Sequence, residues 1–318
     1  MNRTLKTTTV AATFCAVAGA GIVGYGEVTA EAQTRTQAQA QTQTQGQMQT
    51  TSATTARHGH GHGDSFSGTK KIRVDGYSVN VSCSGHSAAR KPVVVLMAGA
   101  GDGLDSVAGL QKTLSKKNRV CSYDRLGEGE SDQPNGIQTI NDSSKILTGV
   151  LNQITGDRPV VLAGHSMGGY IAARYAPDHR DKVKGLVLMD ATIPALTAGI
   201  SKAIPESATG LAAEMRAGAI AGNEGQNPEQ FVIDDVKVRS AGRIPVQIIK
   251  HESEYSQVPD YRPALEQMWS EGQHEWLGLS RRSSLSTAAG SGHYIYRDRP
   301  DIAVKAIQRV TAQATARW

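Results

Sequence analysis

Gly164-His165-Ser166-Met167-Gly168-Gly169 sets a serine with a glycine two residues away on each side. A serine hydroxyl is a poor nucleophile until an imidazole takes its proton, and that imidazole needs a carboxylate to fix its tautomer. A histidine must therefore follow. Of the nine histidines, three lie in the tract His58-Gly59-His60-Gly61-His62, and His165 is expected to point away inside the turn. His293, in Gly290-Ser291-Gly292-His293-Tyr294, follows the small and apolar run Leu285 to Ala289 and precedes Arg299-Pro300. A loop there, after the last strand, would bring an imidazole back over Ser166. His86, His179, His251 and His274 sit in polar segments and read as surface residues. For the acid, Asp190 is preferred because it ends an apolar run that would aim it at the same edge. Glu252 and Glu254, a few residues past the run Pro245 to Ile249, remain alternatives.

The elements that must position these groups alternate regularly. Strands are predicted over Lys71 to Val74, Tyr77 to Cys83, Val93 to Met97, Arg119 to Tyr123, Pro159 to Ala163, Val183 to Met189 and Pro245 to Ile249. Helical spacing marks Ser106 to Lys116, Ser143 to Ile154, Gly168 to Tyr175 and Asp301 to Ala314. Continuous apolar strands alternating with amphipathic helices imply a mostly parallel, doubly wound α/β sheet covered on both faces. The serine falls between a strand and a helix, the context in which G-x-S-x-G signifies a sharp turn with an exposed nucleophile. Between Ala191 and Arg243 the rhythm breaks. That segment is Ala-rich, with one charge-interrupted candidate strand at Phe231 to Val238, and it predicts an inserted helical cap over about residues 191–243.

The first residues are not part of this pattern. Residues 1–30 carry Arg3 and Lys6, then the small and apolar stretch Val10 to Val23, then Val28-Thr29-Ala30. This is the layout of a secretory signal, too short to span a bilayer, and it predicts a secreted protein without stable membrane insertion. Cys15 would leave with the signal. Residues 31–66 form a Gln/Thr-rich and His/Gly linker with nothing to bury, leaving the domain to residues 67–318. The His58, His60, His62 tract reads as solvated linker with only weak affinity for metal.

At this point the chain resembles the α/β-hydrolase fold family of serine esterases and lipases, over roughly Lys70 to Trp318. Three patterns carry the resemblance: the strand followed by Ala98-Gly99-Ala100-Gly101, the segment Tyr123-Asp124-Arg125-Leu126-Gly127-Glu128-Gly129-Glu130-Ser131, and the serine turn with its late histidine. Many members carry His-Gly where this chain has Ala98-Gly99. The resemblance implies an oxyanion hole from the backbone N–H groups of Ala100 and Met167, and it sets Glu254 near the family's commonest acid position. It also implies that Cys83 and Cys121 fall on neighbouring strands, where an exported protein could join them in a disulfide; two reduced buried thiols are the alternative. Asp124 and Arg125 are expected to brace their loop as an ion pair.

The chain has 318 residues, 34 Lys plus Arg against 29 Asp plus Glu, and 39% hydrophobic residues. That is ample for a buried core, and the scattered charge gives no basic stripe for nucleic acid. Three cysteines are too few for a disulfide-built scaffold. The resulting expectation is a secreted serine hydrolase that needs no cofactor, acting on a small ester-like substrate through Ser166, His293 and an acid. The competing expectation is a non-catalytic binding protein of the same fold, held by its N-terminal linker. Oligomeric state is left open.

Overall fold

The computed structural model describes residues 66–86, 88 and 91–316. The expected signal, most of the linker and the His58, His60, His62 tract lie outside the described residues. Among the described residues no helix is long and apolar enough to cross a membrane.

Eight strands form one sheet: β1 (Gly68–Val74), β2 (Tyr77–Ser84), β3 (Val93–Met97), β4 (Val120–Tyr123), β5 (Val160–His165), β6 (Val183–Met189), β7 (Val246–His251) and β8 (Ser283–Ala288). Their order across the sheet is β1-β2-β4-β3-β5-β6-β7-β8. The first two strands are antiparallel to their neighbours, and β3 to β8 pair in parallel. The chain winds outward in one direction from β3 to β4, then returns past β3 to place β5 on its other side. In such sheets the crevice at that reversal, beyond the carboxyl ends of the strands, is where ligands bind.

Alternation along each strand builds two cores. Val93, Val95 and Met97 face one side, where α2 (Ile140–Thr155) and α3 (Ser166–Tyr175) pack through Leu147, Leu151, Tyr170 and Ile171. Val94 and Leu96 face the other, covered by α1 (Ala108–Leu114) and the last helix, α8 (Pro300–Thr315), through Leu110, Leu114, Ile307 and Val310. α2 begins at a reciprocal cap in which Thr139 and Asp142 satisfy each other's backbone N–H groups, and its apolar face recurs at Ile146, Leu147, Val150, Leu151 and Ile154.

Between β6 and β7 lie α4 (Leu196–Ala203) and α5 (Gly210–Asn223), followed by a segment without regular structure. The candidate strand at Phe231 to Val238 does not form; Phe231 and Val232 make only isolated bridges to Gln138 and Glu224. Charges at Asp234, Asp235 and Lys237 leave too little apolar surface there to join the sheet. α6 (Arg262–Glu275), not foreseen from the sequence, packs under the insertion, and Ile193, Ile200, Ile204, Tyr255, Leu265 and Trp269 share a third apolar cluster. α7 (Ile295–Asp298) is a single turn just past His293.

Cys83 and Cys121 pair directly across β2 and β4 and are joined in a disulfide.

Candidate active site

β5 ends at His165, and Ser166 follows with a left-handed φ of +49°, a conformation non-glycine residues rarely hold. The bend is possible because its neighbours lack side chains. A Cβ on Gly164 would collide with the backbone of Gly168 and Gly169, and one on Gly168 would collide with the carbonyls of Met97 and Ala98. The sequence thus drives Ser166 onto the first turn of α3, where unpaired N–H groups favour negative charge. Its residue is 6% exposed. That small opening faces a pocket which Ser166 lines together with Ala100, Met167, Leu196, Ile200 and Tyr255.

β6 ends at Met189, and Asp190 beyond it also holds a left-handed φ, +47°, with its N–H donated to the carbonyl of Ile249. The carboxylate is fully buried. Its Oδ2 accepts from Nδ1 of His293 at 2.6 Å and from Nδ1 of His251 at 2.7 Å. Its Oδ1 accepts from the backbone N–H of His251 at 3.0 Å and from the indole N–H of Trp269 at 2.8 Å. Burial by itself would raise this carboxyl. The hydrogen bonds and charges of His251 and His293 overcome it and hold Asp190 well below the usual carboxylate range.

The loop that carries His293 is gripped from three sides. Glu254 Oε2 accepts from the His293 N–H at 2.9 Å, Glu252 Oε2 accepts from the Gly290 N–H at 2.8 Å, and Asp298 Oδ2 accepts from the Gly292 N–H at 2.9 Å. Of the three acids left open by the sequence, only Asp190 meets the imidazole; Glu252 and Glu254 hold the loop's backbone. His165 Nε2 sits 3.0 Å from the carbonyl of His293, and the two rings are 4.5 Å apart. Burial, then the nearby His293, depress His165 well below an ordinary histidine, so it stays neutral and braces that loop.

Two expectations need correction. His251 is not a surface residue: it is 2% exposed, at the end of β7, in direct contact with Asp190. The polar letters around it hid an inward-facing strand end. Nor do Asp124 and Arg125 pair with each other. Asp124 accepts from the side chain of Asn80 and from the backbone N–H groups of Leu104 and Glu130, while Arg125 pairs with Glu229 at 2.6 Å, both side chains almost fully buried. Arg125 also donates to the carbonyls of Ala98 and Gly99. Glu128 Oε1 accepts from the Gly101 N–H at 2.6 Å, and burial followed by the charge of Glu229 pushes its carboxyl up to about 8.

Sequence reasoning missed His251, Glu266, Trp269 and Glu229. Leu265, Trp269, Gly272 and Gln273 do recur at helical spacing in 262–275, a signal that would have placed Glu266 and Trp269 on one helix. Metal-ligand types also converge here, with one ligand atom each from Asp190, His251 and His293 within 4.8 Å of one another. Oδ2 of Asp190 lies at hydrogen-bond distance from Nδ1 of both rings, 2.7 Å for His251 and 2.6 Å for His293.

Residues 92–219 match the family described as alpha/beta hydrolase fold. Among solved structures, an enol-lactonase from Burkholderia xenovorans LB400 superposes with a TM-score of 0.56 at 18% identity, covering 76% of this chain and 100% of that one. The chain is an α/β-hydrolase-fold protein. A thermophilic esterase from Thermogutta terrifontis shares the same fold with a TM-score of 0.54 at 17% identity, covering 78% of this chain and 99% of that one. An uncharacterised protein of Bacillus subtilis, YqjL, is 26% identical over 252 residues, 77% of this chain and 92% of that protein. Other curated relatives match over less than half of their own length. The α/β-hydrolase fold accounts for the strand order, the serine turn and the late histidine together.

Proposed function

We propose that this α/β-hydrolase-fold protein is a serine hydrolase that cleaves carboxylic esters, with Ser166 as nucleophile, His293 as general base and then acid, and Asp190 as the orienting carboxylate. The observation that carries the reading is the 2.6 Å contact from Asp190 to Nδ1 of His293, in a loop packed against the turn that presents Ser166. With Nδ1–H donated to Asp190, Nε2 of His293 carries the lone pair and can take the proton from the Ser166 hydroxyl as Oγ attacks the carbonyl. The tetrahedral oxyanion would be met by the backbone N–H groups of Ala100 and Met167, which line the same pocket; such donors lower the barrier by about 3 to 4 kcal/mol each. His293 then returns its proton to the departing alcohol. Water, activated by the same imidazole, releases the acid from the acyl-enzyme.

The pocket supports the choice of substrate. Met167, Leu196, Ile200, Ile233 and Trp269 give it apolar walls, suited to an acyl or alcohol group of modest size beneath the α4 and α5 insertion. The enol-lactonase and the esterase among similar structures are consistent with acyl chemistry. Export through residues 1–30 is part of the same reading, supported by the Cys83–Cys121 disulfide, which persists in oxidising compartments.

A p-nitrophenyl ester series of increasing acyl length, assayed with the unmodified chain and Ser166→Ala, tests this directly. The reading predicts turnover that falls to background in the variant. No turnover of any ester by the unmodified chain would favour a binding protein instead.

A further inference from the structure

Asp190 serves two imidazoles, and the proton shuttle described above uses only one. The second, His251, is 3% exposed at its side chain and has a carboxylate oxygen against each ring nitrogen: Nδ1 lies 2.7 Å from Asp190 Oδ2 and Nε2 lies 2.9 Å from Glu266 Oε2. An ionised carboxylate offers only acceptors, so a ring flanked by two of them donates from both nitrogens. That makes it an imidazolium. The pattern continues beyond His251: Glu266 Oε1 accepts from the backbone N–H of Glu254, and Glu254 Oε2 accepts from the backbone N–H of His293. A closed circuit of hydrogen bonds therefore runs from the His293 ring through Asp190, His251, Glu266 and Glu254 back to the His293 backbone.

We propose that His251 is a positioning residue of this site, a fixed imidazolium bridging Asp190 and Glu266 that keeps Oδ2 of Asp190 directed at the His293 ring and shares its negative charge. The proposal rests on the serine-hydrolase reading. It assigns a role to a side chain that touches neither the pocket nor the reacting atoms. A lone carboxylate between two elements could rotate or draw in water; one held by three N–H groups besides that of His293 has a single orientation available.

The groups facing His251 come from every neighbouring element. Asp190 approaches from the end of β6 and Glu266 from α6, with Arg262 Nε 3.7 Å from that second carboxylate. The loop after β7 contributes Tyr255, its ring 6.1 Å away, and Glu254 through its contact with Glu266. Trp269 stacks at 6.0 Å, and His293 lies on the far side of Asp190. Burial alone would drive the proton off His251. The hydrogen bonds and charges of Asp190 and Glu266 outweigh it and raise the ring to about 9. The ring is therefore charged at neutral pH and loses its charge only as pH passes about 9, when one nitrogen turns a lone pair toward a carboxylate.

Two measurements test the assignment. In the full chain carrying Ser166→Ala, ¹⁵N NMR of the imidazole nitrogens, assigned by loss of signal in His251→Gln, reads protonation without requiring activity. Both nitrogens of His251 should be protonated at pH 7; a single protonated nitrogen there overturns the proposal. Kinetics on a p-nitrophenyl ester then read the consequence. His251→Gln, neutral at every pH, should lower kcat by about ten- to a hundredfold, the usual cost of removing an outer-shell partner, with KM changed less than about threefold. Its alkaline limb near pH 9 should vanish. Glu266→Gln removes one of the two stabilising carboxylates, so its alkaline limb should move to lower pH, and this variant decides the matter should His251→Gln fail to fold. Wild-type kcat with an unmoved alkaline limb in either folded variant contradicts the proposal. An unmodified chain without turnover would fault the hydrolase reading instead, and the NMR result would still stand separately.

Discussion

Asp190 and Glu254 both touch His293, but at different atoms, and that difference carries a prediction. Asp190→Asn keeps the shape but presents an amide to Nδ1, allowing the wrong tautomer, so kcat should fall by about ten-thousand-fold while the melting temperature shifts little by comparison. Glu254→Gln and Glu252→Gln retain an acceptor for the backbone N–H groups of His293 and Gly290 and should lose less than about tenfold. Steady-state kinetics on the three variants, with circular dichroism as a fold control, separates them; comparable losses in all three would contradict the assignment of Asp190. Ser166 and His293 stood out in the sequence as candidates because a strand-to-helix turn between glycines and a late Gly-rich loop are local patterns. The carboxylate that meets the His293 ring was legible only as three candidates, since chain spacing does not reveal which carboxylate turns toward a ring. His251 was hidden for the same reason: its neighbours Lys250 and Glu252 are polar, and only the sheet shows that it alternates inward between them.

Among the elements, β1 and β2 were legible as short β-branched runs, and the central strands because they are buried on both faces. Val93–Met97 reads as an unbroken apolar run, and Val160–His165 and Val183–Met189 as mostly apolar ones, the last interrupted by Lys184, because helices cover both sides. β8, Ser-Ser-Leu-Ser-Thr-Ala at the sheet edge, has little to bury and no such signature. The irregular segment after α5 was equally opaque, yet it delivers Glu229 to Arg125, and Arg125 in turn holds the carbonyls of Ala98 and Gly99 beside the proposed oxyanion donor Ala100. Glu229→Gln leaves a buried guanidinium without its countercharge. Breaking such a pair typically costs about 3 to 5 kcal/mol, and chemical denaturation should show a loss of that order. Because the loop at Ala98 to Gly101 loses its anchor, kcat should drop as well. A variant as stable as the unmodified chain would contradict this role for the pair.

At the scale of the molecule, two apolar layers flank one sheet, and the insertion lines the pocket at Ser166 together with the loop after β3 and the start of α3. The disulfide joins β2 to β4 near the start of that sheet and closes a loop of 38 residues. In the chain-entropy account such a closure stabilises by about 3 to 4 kcal/mol, so reduction, or Cys83→Ala with Cys121→Ala, should lower the unfolding free energy by that amount while leaving ester turnover in the folded protein intact. Denaturant titration with and without reductant measures it. The account stands most directly on whether Ser166 is an activated nucleophile. Incubation with a fluorophosphonate, followed by intact-mass and peptide mass spectrometry, should show one covalent adduct mapping to Ser166 and none in Ser166→Ala or after prior unfolding. An unlabelled native chain, or an adduct that persists in Ser166→Ala, would contradict it.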